Sequence, residues 1–107
     1  MICIRKTGYK DGCLSWTAED ESGEIGQIAA RAGDIPEITQ LKFEQPEIGD
    51  GLIKTAAAFF AETGIRRMRF AVHSGKAEAA ALAAGFSKTE KGLEIDPGHV
   101  KRSCGGH

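Results

Sequence analysis

Through the N-terminal half of the chain, apolar and polar residues alternate with the two-residue period of β-strands. Ile2 and Ile4 alternate with Cys3 and Arg5 and predict a first strand. Tyr9, Lys10, Asp11 and Gly12 read as a turn. Leu14, Trp16 and Ala18 recur at every second position and predict a second strand. The polar, glycine-bearing stretch Asp20-Glu21-Ser22-Gly23 is a hairpin signal. Residues 24–31 return as a third strand, the Gly33-Asp34-Ile35-Pro36 stretch turns the chain, and residues 38–44 read as a fourth. Short connections between successive strands imply an antiparallel meander.

The period changes after Pro46. Over residues 51–63, Leu52, Ile53, Ala56, Ala57, Phe59 and Phe60 gather on one broad face, with Lys54, Thr55 and Glu62 opposite, which predicts an amphipathic helix. Gly64 stands where a left-handed residue ends a helix, with Ile65 folding back on it. Residues 67–73 alternate Met68, Phe70 and Val72 with Arg67, Arg69 and His73, a fifth strand. Ser74 is placed to cap a second helix over residues 75–84, mostly alanine, whose backbone can approach its packing partner closely. Gly85 ends it and Phe86 follows. Residues 86–90 and 93–96 predict a last hairpin around Lys91-Gly92, and residues 97–107 read as a flexible tail after a single domain over residues 1–96.

A chain of 107 residues holds one core. Its net charge of −1 lacks the basic excess of a phosphate-backbone binder and argues against nucleic acid as a partner. The stretch Met1-Ile2-Cys3-Ile4-Arg5-Lys6 lacks the layout of a signal peptide, and no apolar run is longer than that of 56–61, far short of a membrane span. Cys3, Cys13 and Cys104 cannot all pair with one another and fit no zinc spacing; they read as reduced thiols of a cytoplasmic protein, Cys3 and Cys13 as buried fillers. His99, Cys104 and His107 in the tail offer at most adventitious metal binding. Arg66, Arg67 and Arg69 form a small basic cluster that either meets Glu19-Asp20-Glu21 or stays solvated.

Residues 41–86 run strand, glycine-bearing turn, helix, strand, short helix, Gly-Phe. This order resembles the acyl-CoA-binding half of the GCN5-related N-acetyltransferases. Ile48-Gly49-Asp50-Gly51-Leu52-Ile53 is similar to the family's pyrophosphate loop, Gly64 to Phe70 to its helix end and next strand, and Ala84-Gly85-Phe86 to the Leu-Gly-Phe that closes its last helix. The resemblance implies a minimal α/β fold, a mixed α+β sheet with helices after the fourth and fifth strands, lacking the two helices usual between the first strands. It implies acetyl-CoA as cofactor. Gly49, Asp50, Gly51, Leu52 and Ser74 would lie at the cofactor, and the backbone of Leu41 to Phe43 along its pantetheine arm. Glycines admit close approach of an anion to the unpaired N–H groups of a helix N-terminus.

This sequence departs from the family pattern at several positions. Ile48 stands for the loop arginine, Asp50 for a basic or neutral residue, Ile53 for a small one, and Ala81 for the tyrosine that serves as general acid. Gly-Asp-Gly therefore reads either as a phosphate cradle or as a capped helix start. Glu44 is the first candidate for general base, with Glu37 and His73 behind it. The middle helix reads about one turn shorter than the family's. Trp16 alternates with Leu14 as a core residue; Trp16 and Phe43 are also candidates for a sheet face left open by the missing helices, where a homodimer would form. Two functions follow: an N-acetyltransferase moving an acetyl group from acetyl-CoA to a small-molecule or peptide amine, or a catalytically degenerate module of the same fold that binds a partner or itself.

Overall fold

The computed structural model describes residues 2–10, 12–90 and 92–99. The strands β1 (Cys3–Lys10), β2 (Cys13–Asp20), β3 (Gly23–Arg31) and β4 (Glu37–Phe43) form the expected meander, each antiparallel to the next. Helix α1 (Pro46–Glu62) crosses over to β5 (Met68–Phe70), which lies parallel to β4. Helix α2 (Gly75–Ala84) leads to the hairpin of β6 (Ser87–Thr89) and β7 (Gly92–Ile95), and Pro97–His99 form a 3-10 turn against α1. The sheet order is β1-β2-β3-β4-β5-β7-β6, one mixed seven-stranded sheet. Residues 100–107, with Cys104 and His107, lie outside the described residues.

Both helices pack on one face of the sheet. Leu14, Trp16 and Ala18 of β2, Ile28 and Ala30 of β3, and Ile38 and Leu41 of β4 are buried beneath them. Trp16 meets Phe59 and Phe60 of α1 edge-on, with ring centroids 5.6 and 6.3 Å apart, a favoured aromatic geometry. Trp16 is thus core, and Phe43 also faces the helices; neither lies on an open face. The uncovered face is polar. Arg5 pairs with Glu19 at 3.1 Å, and Thr7 shares a hydroxyl bond of 2.8 Å with Thr17. Cys13 alternates with buried Leu14 onto this face and Cys3 opens the edge strand, so both thiols are exposed rather than buried fillers.

Several boundaries move from those expected. Tyr9 and Lys10 belong to β1, paired with Leu14 and Cys13, and Gly12 at φ 79° turns the chain. The strand pairing of β5 ends at Phe70, earlier than the alternation to His73 implied. The largest shift is in α1, which starts at Pro46 and not at residue 51. Proline at the first helical position has its φ preset and no N–H to satisfy. Ile48, Leu52, Ala56 and Phe60 then form one buried i, i+4 row. The helix is 17 residues long and begins more than a turn upstream of the expected start. Its other end is as expected: Gly64 has φ 86° and the Ile65 N–H reaches back to the Phe60 carbonyl at 3.0 Å. Gly85 and Phe86 close α2 in the same way, with φ 115° and a 3.1 Å bond to Ala81. Arg67 and Arg69 do not reach the Glu19–Glu21 stretch. They flank Glu94 of β7, at 3.8 and 2.8 Å.

Candidate functional site

The parallel pairing of β4 with β5 covers only Glu37 with Arg69 and Ile38 with Phe70. The Ala71 N–H still reaches the Ile38 carbonyl at 2.8 Å; beyond it β4 runs on to Phe43 while the chain after β5 leaves for α2. The two segments splay. At the open end lies a cavity of about 470 Å3 between the end of β4, the first turns of α1 and one face of α2. Phe43 and Pro46 form one wall, Glu47 and Asp50 project from α1, and Lys76, Ala79, Ala80 and Ala83 come from α2.

The electrostatics of this cavity depend on how α1 begins. Gln45 is the N-cap residue and makes no side-chain cap bond. Its carbonyl takes the Ile48 N–H at 2.9 Å and the Gly49 N–H at 3.3 Å, and Pro46 has no N–H to offer. Of the four leading N–H groups that a helix normally leaves for an anion, Pro46 has none and that of Ile48 is turned back on Gln45, while the Gly49 bond is the first regular bond of the helix. Glu47 and Asp50 place two carboxylates along the same wall. Asp50 is paired with Lys54 one turn on, at 2.7 Å. On the opposite wall the Lys76 ammonium donates to the Phe43 carbonyl at 2.8 Å and the Glu44 carbonyl at 3.3 Å. It also lies 4.8 Å from the centroid of the Phe43 ring, a cation–π contact.

Of the residues singled out from sequence, Phe43 and Asp50 line this cavity. Leu41 is buried on the helix-covered face. Gly49, Asp50 and Gly51 stand inside α1 and not in a loop before it, because the helix starts upstream of them. Gly49 lies under the Phe43 ring, where a Cβ would come within 2.8 Å of ring carbons. Leu52 is fully buried against Gly26. Ser74 occupies the N-cap of α2 without a side-chain cap bond; its carbonyl accepts the Glu78 N–H at 2.8 Å. Glu44 is exposed, and its side chain lines a smaller hollow with Ile2, Asp20, Ile25, Gln45 and Ile48. Glu37 sits at the start of β4, and His73 lines a separate cavity with Glu78 and Lys88 on the other side of α2. Ala81 is fully buried in the helix–sheet packing, and Tyr9 is exposed on the edge strand. No group of three or more His, Cys, Asp or Glu among the described residues is arranged to hold a metal ion.

Sequence reasoning missed Lys76 and the three alanines. Their spacing, i, i+3, i+4 and i+7, is the signal that was available: one stripe of α2 with a cation at its start and no side chain beyond a methyl after it.

No family model matches the sequence, and no curated protein matches it. Solved structures do. An N-acetyltransferase from Escherichia coli that acts on the alanine of ribosomal protein S18 superposes with a TM-score of 0.75 at 9% identity, covering 100% of this chain and 99% of that one. An N-acetyltransferase from Staphylococcus aureus Mu50 gives 0.70 at 12%, covering 91% and 98%. The PaiA N-acetyltransferase from Thermoplasma acidophilum, crystallised with coenzyme A, gives 0.63 at 22%, covering 79% of this chain. The chain spans 61% of the length of that PaiA structure. The fold is that of the N-acetyltransferases. Within this N-acetyltransferase fold, the end of β4, the first turns of α1 and one face of α2 are the features that line the cavity. No helix among the described residues is long and apolar enough to cross a membrane.

Proposed function

We propose that this N-acetyltransferase-fold domain transfers an acetyl group from acetyl-CoA to an amine. The observation that carries the reading is the cavity of about 470 Å3 at the splayed ends of β4 and β5, with Phe43, Pro46 and the α2 alanines giving it an apolar lining. An apolar slot with a few polar groups at one end suits a long, flexible arm with a polar terminus. The end of β4 would align that arm through the backbone of Leu41 to Phe43. Gly49 and Leu52 contribute by seating α1 against Phe43 and Gly26, Gly51 by letting it approach Ile4 of β1, while Asp50 stands in the wall beside the arm. Ser74, at the start of α2, would lie beside the far end of the arm. Acetyl-CoA supplies the activated thioester; the chain supplies position and a route for the proton of the attacking amine. Glu44, where β4 leaves the sheet, is the proposed proton acceptor, acting through water.

A second reading has its own support. The start of α1 at Pro46 removes two of its four leading amide donors, those of Pro46 and Ile48, and Ala81 puts a buried methyl where a general acid would be needed. On that reading the domain keeps the fold and binds a partner or a second copy of itself.

Thermal unfolding with and without acetyl-CoA separates the two. Ligand at about a hundred times its Kd stabilises the fold by roughly 2.7 kcal/mol. In a domain this small the midpoint then rises by on the order of 10 °C. A saturable rise is expected; no rise at millimolar acetyl-CoA would sink the transferase reading.

A further inference from the structure

We propose that Lys76 of α2, and not the N-terminus of α1, is the anion-binding residue of this site, and that it exchanges the β4 carbonyls for ligand phosphate oxygens when an acyl-CoA binds; this rests on the acyl-CoA reading above. Two independent features of the cavity lead there. The first is the state of the α1 terminus. Pro46 lacks an N–H, the Ile48 N–H goes to the Gln45 carbonyl, and Glu47 and Asp50 present the same sign of charge as a phosphate. The second is the state of Lys76. It is the only cation among the described residues lining the cavity. Its Nζ is held by two neutral carbonyl oxygens and a ring face. Among the described residues it takes part in no ion pair, whereas Lys54 is matched by Asp50.

A cation held only by neutral acceptors keeps its charge for an incoming anion, and charge-assisted bonds outrank the neutral ones it gives up. The move has a second consequence. The Phe43 and Glu44 carbonyls, at the end of the strand that would carry the arm, are occupied by Nζ in the free protein. Transfer of Nζ to phosphate frees both carbonyls to accept amide N–H groups of the arm. Anion binding and arm binding are thereby coupled through one side chain. Lys76 is exposed at the start of a helix, so replacing it leaves the core intact.

The test is titration calorimetry of the full chain with coenzyme A, dephospho-coenzyme A and pantetheine, using wild type, Lys76→Met and Lys76→Arg, after equal unliganded melting has shown that the variants fold. Lys76→Met is expected to weaken coenzyme A by about tenfold or more, since a charge-assisted phosphate contact is lost. Pantetheine, which has no phosphate groups, is expected to bind Lys76→Met at least as well as wild type, because the two carbonyls are free. Lys76→Arg restores most of the coenzyme A affinity. If dephospho-coenzyme A shows the same loss, Lys76 holds the pyrophosphate; if it binds both proteins alike and weakly, Lys76 holds the 3′-phosphate, and either result supports the proposal. Wild-type binding that Lys76→Met leaves unchanged, or an equal loss for pantetheine, overturns the proposal alone. Failure of wild type to bind coenzyme A at all overturns both this proposal and the reading it rests on.

Discussion

Gly49 and Gly51 stand two residues apart in one helix, and the structure gives them opposite roles. A methyl group added at Gly51 meets only Ile4 Cδ1, at 3.2 Å, the far end of a flexible side chain. Replacing a helix-interior glycine by alanine under those conditions stabilises by about 0.5–1 kcal/mol. A methyl group added at Gly49 comes within 2.8, 2.8 and 2.9 Å of three carbons of the Phe43 ring. A rigid ring cannot relax by a terminal rotation, so overpacking of about 1–3 kcal/mol is set against the same gain. Gly51→Ala is therefore expected to stabilise, and Gly49→Ala to destabilise by a net ~1 kcal/mol. Urea unfolding followed by Trp16 fluorescence reads both; a change of ~1 kcal/mol moves the midpoint by roughly 0.5–1 M at an unchanged m-value. The decisive arm is the Phe43→Ala background, where Gly49→Ala should change sign and stabilise by about 0.5–1 kcal/mol, a coupling of ~1–2 kcal/mol between the two positions. The same response to Gly49→Ala in both backgrounds would refute the argument that this glycine exists to let α1 pass over the ring.

Trp16→Ala is expected to lose about 3–5 kcal/mol, because the ring is buried between β2 and the Phe59 and Phe60 rings; equilibrium denaturation measures it. Asp50→Asn removes a carboxylate from the cavity wall and releases the Lys54 ammonium, so acetyl-CoA should bind tighter by about 1 kcal/mol, roughly fivefold, in calorimetry. Ser22 donates its hydroxyl at 2.6 Å and its N–H at 2.8 Å to the Asp20 carboxylate, which holds that carboxyl below its ordinary value of 3.8. The hairpin stability it contributes is present above the unfolded-state pKa and is lost as the pH falls through the depressed folded-state value. An NMR titration in which Asp20 titrates at or above 3.8 would contradict this.

Much of the architecture was legible in the residue pattern because it is set by local physics. The period-2 alternation of β2 and β3 fixes which side chains face the core, and Leu14, Trp16, Ile28 and Ala30 are buried accordingly. Gly64 and Gly85 mark two helix ends because only glycine adopts φ near 100° without strain, and both close the expected back-bonds. The order of elements, and through it the resemblance to the N-acetyltransferases, followed from those signals alone.

Tertiary packing decided the rest. Whether Gly49-Asp50-Gly51 is loop or helix depends on whether a helix can sit there, and that is set by Ile48 against Gly26 and by Gly49 under the Phe43 ring. Glycines that permit a loop also permit close helix–sheet approach, so the sequence by itself supports both. Alternation puts Cys13 on the face opposite Leu14, but whether that second face is also covered, and so whether Cys3 and Cys13 are exposed, is decided only by where the helices pack. Lys76 shows the same division most clearly. The sequence places a lysine at the start of a helix, an ordinary solvated position. The crossover of α1 and the splay of β5 from β4 bring it across the sheet to the Phe43 and Glu44 carbonyls, over thirty residues away in the chain, and only that approach makes it part of a site.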